Sequence, residues 1–269
     1  MNIVSNFWIF LRLIRFKNIL IIYLTQFLCF WKLTGEFVWH NQIYASSLLS
    51  AAAGYLINDF YDQKIDRINK KQPILIDLFG EKSALLVYFL FVFLAVWLQK
   101  EIFLAFLVFF TNFLLWFYAY FLKKKAFFGN FLVALFTAWS VFFCMLWLKK
   151  YPNVLLFFAF FAFLLNLIRE IIKDIEDIAG DKTENCRTLP IVLGVNFSKK
   201  IIALLFVLLS LVLWVFVFEK ALFFGVFWLF FGVFFLKKLY FSSQKQDFSK
   251  LSAFAKYMML AGLGLLFLL

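Results

Sequence analysis

The sequence predicts an all-α integral membrane protein, a single domain over residues 1–269 with nine transmembrane helices in a bundle. Two observations carry that prediction. Hydrophobic residues make up 65% of the chain and charged ones only 16%, with 44 Phe, so a soluble fold would have almost no polar surface to offer water. The apolar residues also fall in runs close to the ~20 needed to cross a ~30 Å hydrocarbon core.

The runs cover 18–35, 43–61, 83–99, 102–122, 127–148, 153–173, 199–218, 221–241 and 251–269. The first follows Arg12, Arg15 and Lys17, as a signal peptide follows its charged leader. It has no small-x-small cleavage site and continues past Trp31, so it reads as a retained span. Two long polar loops remain, 62–82 and 174–198, with no room for a separate soluble domain. Cys29, Cys144 and Cys186 are scattered without metal or redox spacing, which argues against a disulfide framework.

The net charge of +12 invites a nucleic-acid partner, so where the charge lies decides its meaning. Most Lys and Arg flank the membrane on the side of the N-terminus, whereas Lys32, Lys100, Lys149, Lys150 and Lys220 fall on the other. The positive-inside rule then places the N-terminus and both long loops in the cytoplasm and the C-terminus outside a cytoplasmic (inner) membrane. The basic excess is a topology signal and calls for no nucleic acid. It does not explain why most of the acidic residues gather on that same side.

In "NDFYDQKID", Asp59, Asp62 and Asp66 are spaced i, i+3, i+7, directly after Asn58. In "REIIKDIEDIAGDK", Asp174, Asp177 and Asp181 repeat the spacing, with Glu170 one turn earlier. On a helix each trio shares one face over about two turns. A lone acidic turn reads as a solvated helix end. A matched pair beside a bilayer, where an ionised side chain costs roughly 2.5 to 3.5 kcal/mol, asks for a function. Two such faces suit hard divalent cations, and Mg²⁺ in particular binds through carboxylates together with substrate phosphates. Metal-bridged carboxylates would receive a diphosphate that bare aspartates would repel. Arg67, Lys70 and Lys71 beside the first cluster, Lys173, Lys182 and Arg187 around the second, and Lys123 to Lys125 offer donors to phosphate oxygens.

These residues resemble the UbiA superfamily of intramembrane prenyltransferases. The family's N-D-x-x-D-x-x-x-D motif is matched by Asn58, Asp59, Asp62 and Asp66. Its K-D-x-x-D-x-x-G-D motif is matched by Lys173, Asp174, Asp177, Gly180 and Asp181, followed by "RTLPIVLG" from Arg187. "RFKN" at Arg15 to Asn18, "NKKQP" and "YAYFLKKKAFFGN" from Tyr118 to Asn130 are similar to further family segments. The resemblance implies nine helices around a central cavity, with Asp-rich cytoplasmic loops after helices 2 and 6. It implies Mg²⁺ at Asp59, Asp62, Asp66, Asp174, Asp177 and Asp181, and diphosphate contacts from Asn18, Asn58, Arg67, Lys70, Lys173, Lys182 and Arg187. Catalytic roles would fall to Asp62, Asp66, Asp177 and Asp181, with Tyr118 and Lys123 assisting departure of the leaving group. The reaction implied is transfer of a prenyl group from an isoprenyl diphosphate to a lipophilic acceptor.

The Tyr118–Lys123 spacing is five where part of the family has four, Gln72 replaces a common arginine, and "ILIDLFGEKSA" replaces a Ser-Gly segment. These departures bear on the acceptor. Motif spelling is most similar to the branch holding digeranylgeranylglyceryl phosphate synthases and homogentisate-type enzymes. A glycerophosphate lipid and an aromatic quinone precursor (hydroxybenzoate, dihydroxynaphthoate or homogentisate) both stay open. Haem is disfavoured, because His40, the one histidine, lies across the membrane from both motifs. A transporter would place acids at the bilayer midplane and break its helices with Gly and Pro, yet the acids sit at helix ends and the chain has 3 prolines. A non-catalytic subunit would have no use for six motif aspartates, while an enzyme needing a partner subunit stays open.

Overall fold

The computed structural model describes residues 11, 14–39, 41–68, 74–217 and 222–268, leaving aside the side chains of 64–79, 217, 222 and 268. The described residues hold nine long helices: α1 (Phe16–Thr34), α2 (Gln42–Ile68), α3 (Ile74–Trp97), α4 (Ile102–Tyr120), α5 (Phe128–Leu148), α6 (Asn153–Thr183), α7 (Val195–Val217), α8 (Leu222–Phe241) and α9 (Lys245–Leu268). A 3₁₀ turn spans Leu122–Lys124, and a short helix, Leu189–Leu193, precedes α7. The chain divides into two compact units, Met1–Lys123 and Lys124–Leu269.

In the first unit α2 is the hub, packed against α1, α3 and α4. Three serines on one stretch of α2 reach its three neighbours. Ser46 Oγ donates to the Ala95 carbonyl of α3 at 2.8 Å, Ser47 Oγ accepts from Gln26 Nε2 of α1 at 2.8 Å, and Ser50 Oγ accepts from Asn112 Nδ2 of α4 at 2.9 Å. Small polar residues let membrane helices approach closely and bond across the gap. At Gly54 an added Cβ would come within 3.2 Å of Leu115.

This packing accounts for a difference from expectation. Among the described residues, eight helices are long and apolar enough to cross a membrane, and α2 is not one of them. A helix enclosed by three others shows little surface to lipid, so its sequence can be "ASSLLSAAAG" where exposed spans carry Phe and Leu.

In the second unit α6 is the hub, packed against α5, α7, α9 and the Leu189–Leu193 helix. Asn166 Nδ2 bonds Thr137 Oγ1 of α5 at 2.6 Å. Phe161 of α6 lies so close to Gly262 of α9 that a Cβ there would sit 2.5 Å from its ring. Between α7 and α8, Phe206 stacks on Trp228 with centroids 5.6 Å apart, and Trp228 Nε1 donates to Ser210 Oγ at 3.0 Å. Lys199 Nζ closes the C-terminal end of α8 by donating to the carbonyls of Tyr240 and Ser242.

The hubs are also overlong. At 1.5 Å per residue the 27 residues of α2 extend about 40 Å and the 31 of α6 about 46 Å, against a ~30 Å core. Their excess length carries the acidic motifs. The motifs therefore lie on the C-terminal turns of continuous helices, which corrects the expectation of Asp-rich loops after helices 2 and 6: residues spaced i, i+3, i+7 prolong the helix out of the apolar run. The expected loop at 174–198 shrinks to the segment between Thr183 and Leu189 and the break before Val195. The expected loop at 62–82 is shortened likewise, because α3 already begins at Ile74. It is interrupted at Gly80, whose φ of 77° and ψ of 164° are open only to a residue without Cβ.

Candidate active site

In the first unit, Asn58, Asp59 and Asp62 stand on the outgoing turns of α2 with basic groups brought to them from distant sequence. Arg15, in the turn before α1, donates from Nη2 to Asp59 Oδ1 at 2.5 Å, and its guanidinium lies over the Tyr55 ring at 5.1 Å. Burial works against the charge on Arg15, but Asp59, Tyr55 and Asp62 together outweigh it and the guanidinium pKa stands above its ordinary value. Lys123, on the 3₁₀ turn after α4, forms a salt bridge with Asp62 Oδ2. The same oxygen accepts from Asn58 Nδ2 at 2.7 Å. Asp62 is 5% exposed, and the other amide atom, Asn58 Oδ1, is buried without a hydrogen-bond partner among the described residues. Tyr118 is half-buried against the cluster of Ala53, Ile57, Tyr88 and Ala119, and Asn18 is half-buried in the first turn of α1. The side chains of Asp66 and Arg67, and all of Lys70, lie outside the described residues, as does His40.

In the second unit the motif aspartates meet a different partner. Asp174 Oδ2 accepts from the neutral amide of Asn130, at the start of α5, at 2.7 Å. The basic groups of that stretch turn to Glu170: Arg169 Nη1 donates to Oε1 at 2.5 Å and Lys173 Nζ to Oε2 at 3.0 Å. Asp177 is half-buried and Asp181 buried, whereas Lys182 and Arg187 are exposed. The segment after α6 is held by its backbone, with Cys186 N–H on the Asp181 carbonyl and Arg187 N–H on the Lys124 carbonyl, both at 2.9 Å.

Among the described residues no three His, Cys, Asp or Glu side chains already converge on one point, and Asp66 is not among the side chains that bear on this. The donor set nonetheless suits a hard cation. It offers carboxylate oxygens and, in Asn58 Oδ1, a buried amide oxygen with an unused lone pair beside Asp62.

Arg15, Asn130, Arg169 and Glu170 were not among the sequence-read site residues. "RFKN" and the Gly-Asn segment had marked the first two as positions of interest. The pairings themselves, 44 residues apart in both cases, leave no periodic signal.

Comparison with known proteins adds one decisive finding: a model described as the UbiA prenyltransferase family matches residues 20–263. The chain belongs to the UbiA prenyltransferase family. With its apolar helices, membership makes it an integral membrane protein with the UbiA fold. Among its UbiA relatives, the digeranylgeranylglyceryl phosphate synthase of Methanosphaera stadtmanae is 41% identical over 169 residues, covering 60% of this chain and 58% of the relative. The chain thus spans less than two thirds of that relative's length. A solved structure from work on digeranylgeranylglyceryl phosphate synthase in membranes superposes with a TM-score of 0.71 at 24% identity, covering 98% of each chain. A UbiA homologue from Archaeoglobus fulgidus bound to DMAPP and Mg²⁺ gives a TM-score of 0.66 at 18% identity, covering 96% of this chain and 99% of that one.

Proposed function

We infer that this protein is a Mg²⁺-dependent prenyltransferase that moves a prenyl group from an isoprenyl diphosphate to a glycerophosphate-type lipid. The observation that carries the reading is the cluster at the end of α2. Asp62 is held by an ammonium and an amide, beside a buried Asn58 oxygen with no partner among the described residues, in a chain of the UbiA family. The acceptor class rests on the names of the relatives, synthases of digeranylgeranylglyceryl phosphate. Support for Mg²⁺ comes from the donor set and from the Archaeoglobus homologue. Because the family match runs from 20 to 263, we take 1–269 as one catalytic domain.

Asp59, Asp62 and Asp66 on α2 and Asp174, Asp177 and Asp181 on α6 are the proposed metal ligands. Mg²⁺, when bound, neutralises the charge that develops on the departing diphosphate. The residues of the chain do the rest. Asn58 and Lys123 hold Asp62 in place, and Lys123 donates to the diphosphate once Asp62 takes up a cation. Tyr118 contributes from the helix above Lys123. Asn18, Arg67, Lys70, Lys173, Lys182 and Arg187 complete the proposed diphosphate contacts. The orientation keeps the N-terminus and both motifs cytoplasmic and the C-terminus outside the cytoplasmic membrane, so a reporter fused after Leu269 reads out extracytoplasmic.

The test is turnover by purified protein in lipid nanodiscs, with Mg²⁺, geranylgeranyl diphosphate and geranylgeranylglyceryl phosphate. Diphosphate release together with a product heavier by one prenyl group supports the reading. Prenylation of hydroxybenzoate, dihydroxynaphthoate or homogentisate in its place would move the acceptor to the aromatic class, and no diphosphate release from any pair would end the enzyme assignment.

A further inference from the structure

Helices α7, α8 and α9 supply none of the proposed metal or diphosphate groups. At the side where α7 and α9 begin and α8 ends, the stretches 195–200 and 237–250 nonetheless hold Lys199, Lys200, Lys237, Lys238, Lys245 and Lys250 against one acid, Asp247. Lys200, Lys237, Lys238 and Lys250 are exposed, and among the described residues none of these four forms a salt bridge.

A bias of lysine towards one side of a membrane needs no fixed arrangement. Here the arrangement is fixed. The turn between α8 and α9 is only Ser242–Gln244. Lys199 Nζ, coming from α7, donates to the carbonyls of Tyr240, at 3.2 Å, and of Ser242, and lies over the Phe248 ring of α9 at 5.7 Å. It thereby covers the carbonyl end of α8, where a helix is partially negative. Asp247 Oδ2 accepts from the N–H groups of Ser243 and Gln244, both at 3.1 Å, and so is spent on the start of α9. Both sources of negative potential at the turn are therefore engaged by the protein itself. Lys238 and Lys250 stand close enough for their charges to act on Asp247, which places them at the same spot.

The neighbouring surface is apolar and aromatic. Tyr240 and Phe241, the last residues of α8, are 77% and 70% exposed, and Lys238 Nζ lies over the Phe234 ring at 5.6 Å. Exposed rings beside ammonium groups at a membrane helix end sit at headgroup level, rings towards the chains and ammoniums towards the phosphates. A soluble anion would use the lysines alone.

We propose that the α8–α9 turn, braced by Lys199 and flanked by Lys238 and Lys250, binds the phosphate headgroup of an anionic bilayer lipid, with Tyr240 and Phe241 against its glycerol and upper chains. The lipid then ties α8 to α9 from outside. This surface lies apart from the prenyl transfer chemistry, so it stands whichever acceptor the enzyme uses.

The experiment titrates delipidated protein in detergent with phosphatidylglycerol or phosphatidylcholine of the same chain length, reading melting temperature and bound lipid by native mass spectrometry. Wild type is compared with Lys238→Gln/Lys250→Gln, with Lys238→Arg/Lys250→Arg, and with Lys17→Gln/Lys125→Gln, which removes two positive charges from other helix ends. Phosphatidylglycerol should raise the melting temperature of wild type where phosphatidylcholine does not. An ammonium near an anionic lipid surface corresponds to roughly fivefold in affinity. The half-saturating phosphatidylglycerol concentration should therefore rise at least about tenfold in Lys238→Gln/Lys250→Gln, and stay within about twofold of wild type in the Arg variant and in the control.

An equal rise in the Lys17→Gln/Lys125→Gln control would reduce the effect to general charge bias and overturn the proposal. So would equal stabilisation by phosphatidylcholine, or stabilisation by inorganic phosphate alone, which would make the ligand a free anion. Should the Gln variant not be monodisperse, wild type decides in salt: about 0.5 M NaCl must weaken phosphatidylglycerol binding, and binding that ignores salt overturns the proposal.

Discussion

The two units present the same triad of aspartates on a hub helix but compensate it differently. In the first, each described aspartate meets a cation: Arg15 on Asp59 and Lys123 on Asp62. In the second, Asp174 meets a neutral amide while the neighbouring cations serve Glu170. A carboxylate already paired with an ammonium must exchange that partner to take a metal, so its metal affinity is lowered by competition. One held by an amide gives up no ion pair when the cation arrives. Motifs spelled alike need not be electrostatically alike, and the partners that make the difference come from other helices.

The largest effect expected is loss of chemistry. Asp62→Ala and Asp177→Ala should each lower the rate of diphosphate release by at least about a hundredfold, the scale on which removing a group that stabilises transition-state charge is felt. Both proteins should keep a wild-type elution volume. Turnover within a few-fold of wild type in both variants would remove the site assignment from both units.

Next in size is the pair that separates the units. Lys123→Gln should slow turnover by about tenfold or more, because the donor to the leaving group is lost. It should also lower the Mg²⁺ concentration giving half-maximal rate, because Asp62 loses its competing cation. Asn130→Ala removes no charge and should leave that concentration nearly unchanged. Equal Mg²⁺ shifts in the two variants would break the comparison. Chelation with EDTA should abolish turnover in all forms and Mg²⁺ should restore it.

How far these features could be read in the sequence depends on their range. Apolar runs located α1, α4, α5 and α8 to within two residues at each end, since hydrophobic length is a local property; α4 was expected at 102–122 and is found at Ile102–Tyr120. The i, i+3, i+7 spacing correctly placed three aspartates on one helical face. It was the end of the apolar run that misled, because a helix goes on hydrogen-bonding to itself after leaving the bilayer, as α6 does to Thr183. The start of α3 was missed for a related reason: "ILIDLF" is helical at Ile74, but Gly80 interrupts the pattern. The low hydropathy of α2 could be explained only once its three neighbours were known. Arg15 with Asp59 and Asn130 with Asp174 depend on tertiary folding, and nothing in the spacing of the chain announces them.

Smaller effects test the packing that holds each hub. Gly262→Ala should lower the melting temperature by an amount equivalent to about 1–3 kcal/mol, because the new Cβ would fall 2.5 Å from the Phe161 ring and an aromatic core residue must move. Gly54→Ala meets only the methyl end of Leu115, at 3.2 Å, and should cost less. A larger loss at Gly54 would mean that the first hub is the more tightly packed of the two.

The smallest expected effect concerns the serines of α2. Hydrogen bonds between membrane helices average about 0.6 kcal/mol, because unfolded segments within the bilayer find other partners. A double-mutant cycle of Ser50→Ala and Asn112→Ala should therefore give a coupling near that value, and the Asn166–Thr137 cycle in the second unit should give the same, since both link a hub to one neighbour through a side-chain amide and a hydroxyl. Asn112 Nδ2 also donates to the Val108 carbonyl of its own helix at 2.9 Å, so the amide keeps an acceptor when Ser50 is lost. Asn166 likewise reaches the Val133 carbonyl, at 3.3 Å and on the neighbouring helix. Its removal cuts two interhelical contacts where that of Asn112 cuts one. The single variant Asn166→Ala should thus be the more destabilising of the two amide deletions, even where the cycle couplings agree; the reverse order would place the stronger polar link in the first unit.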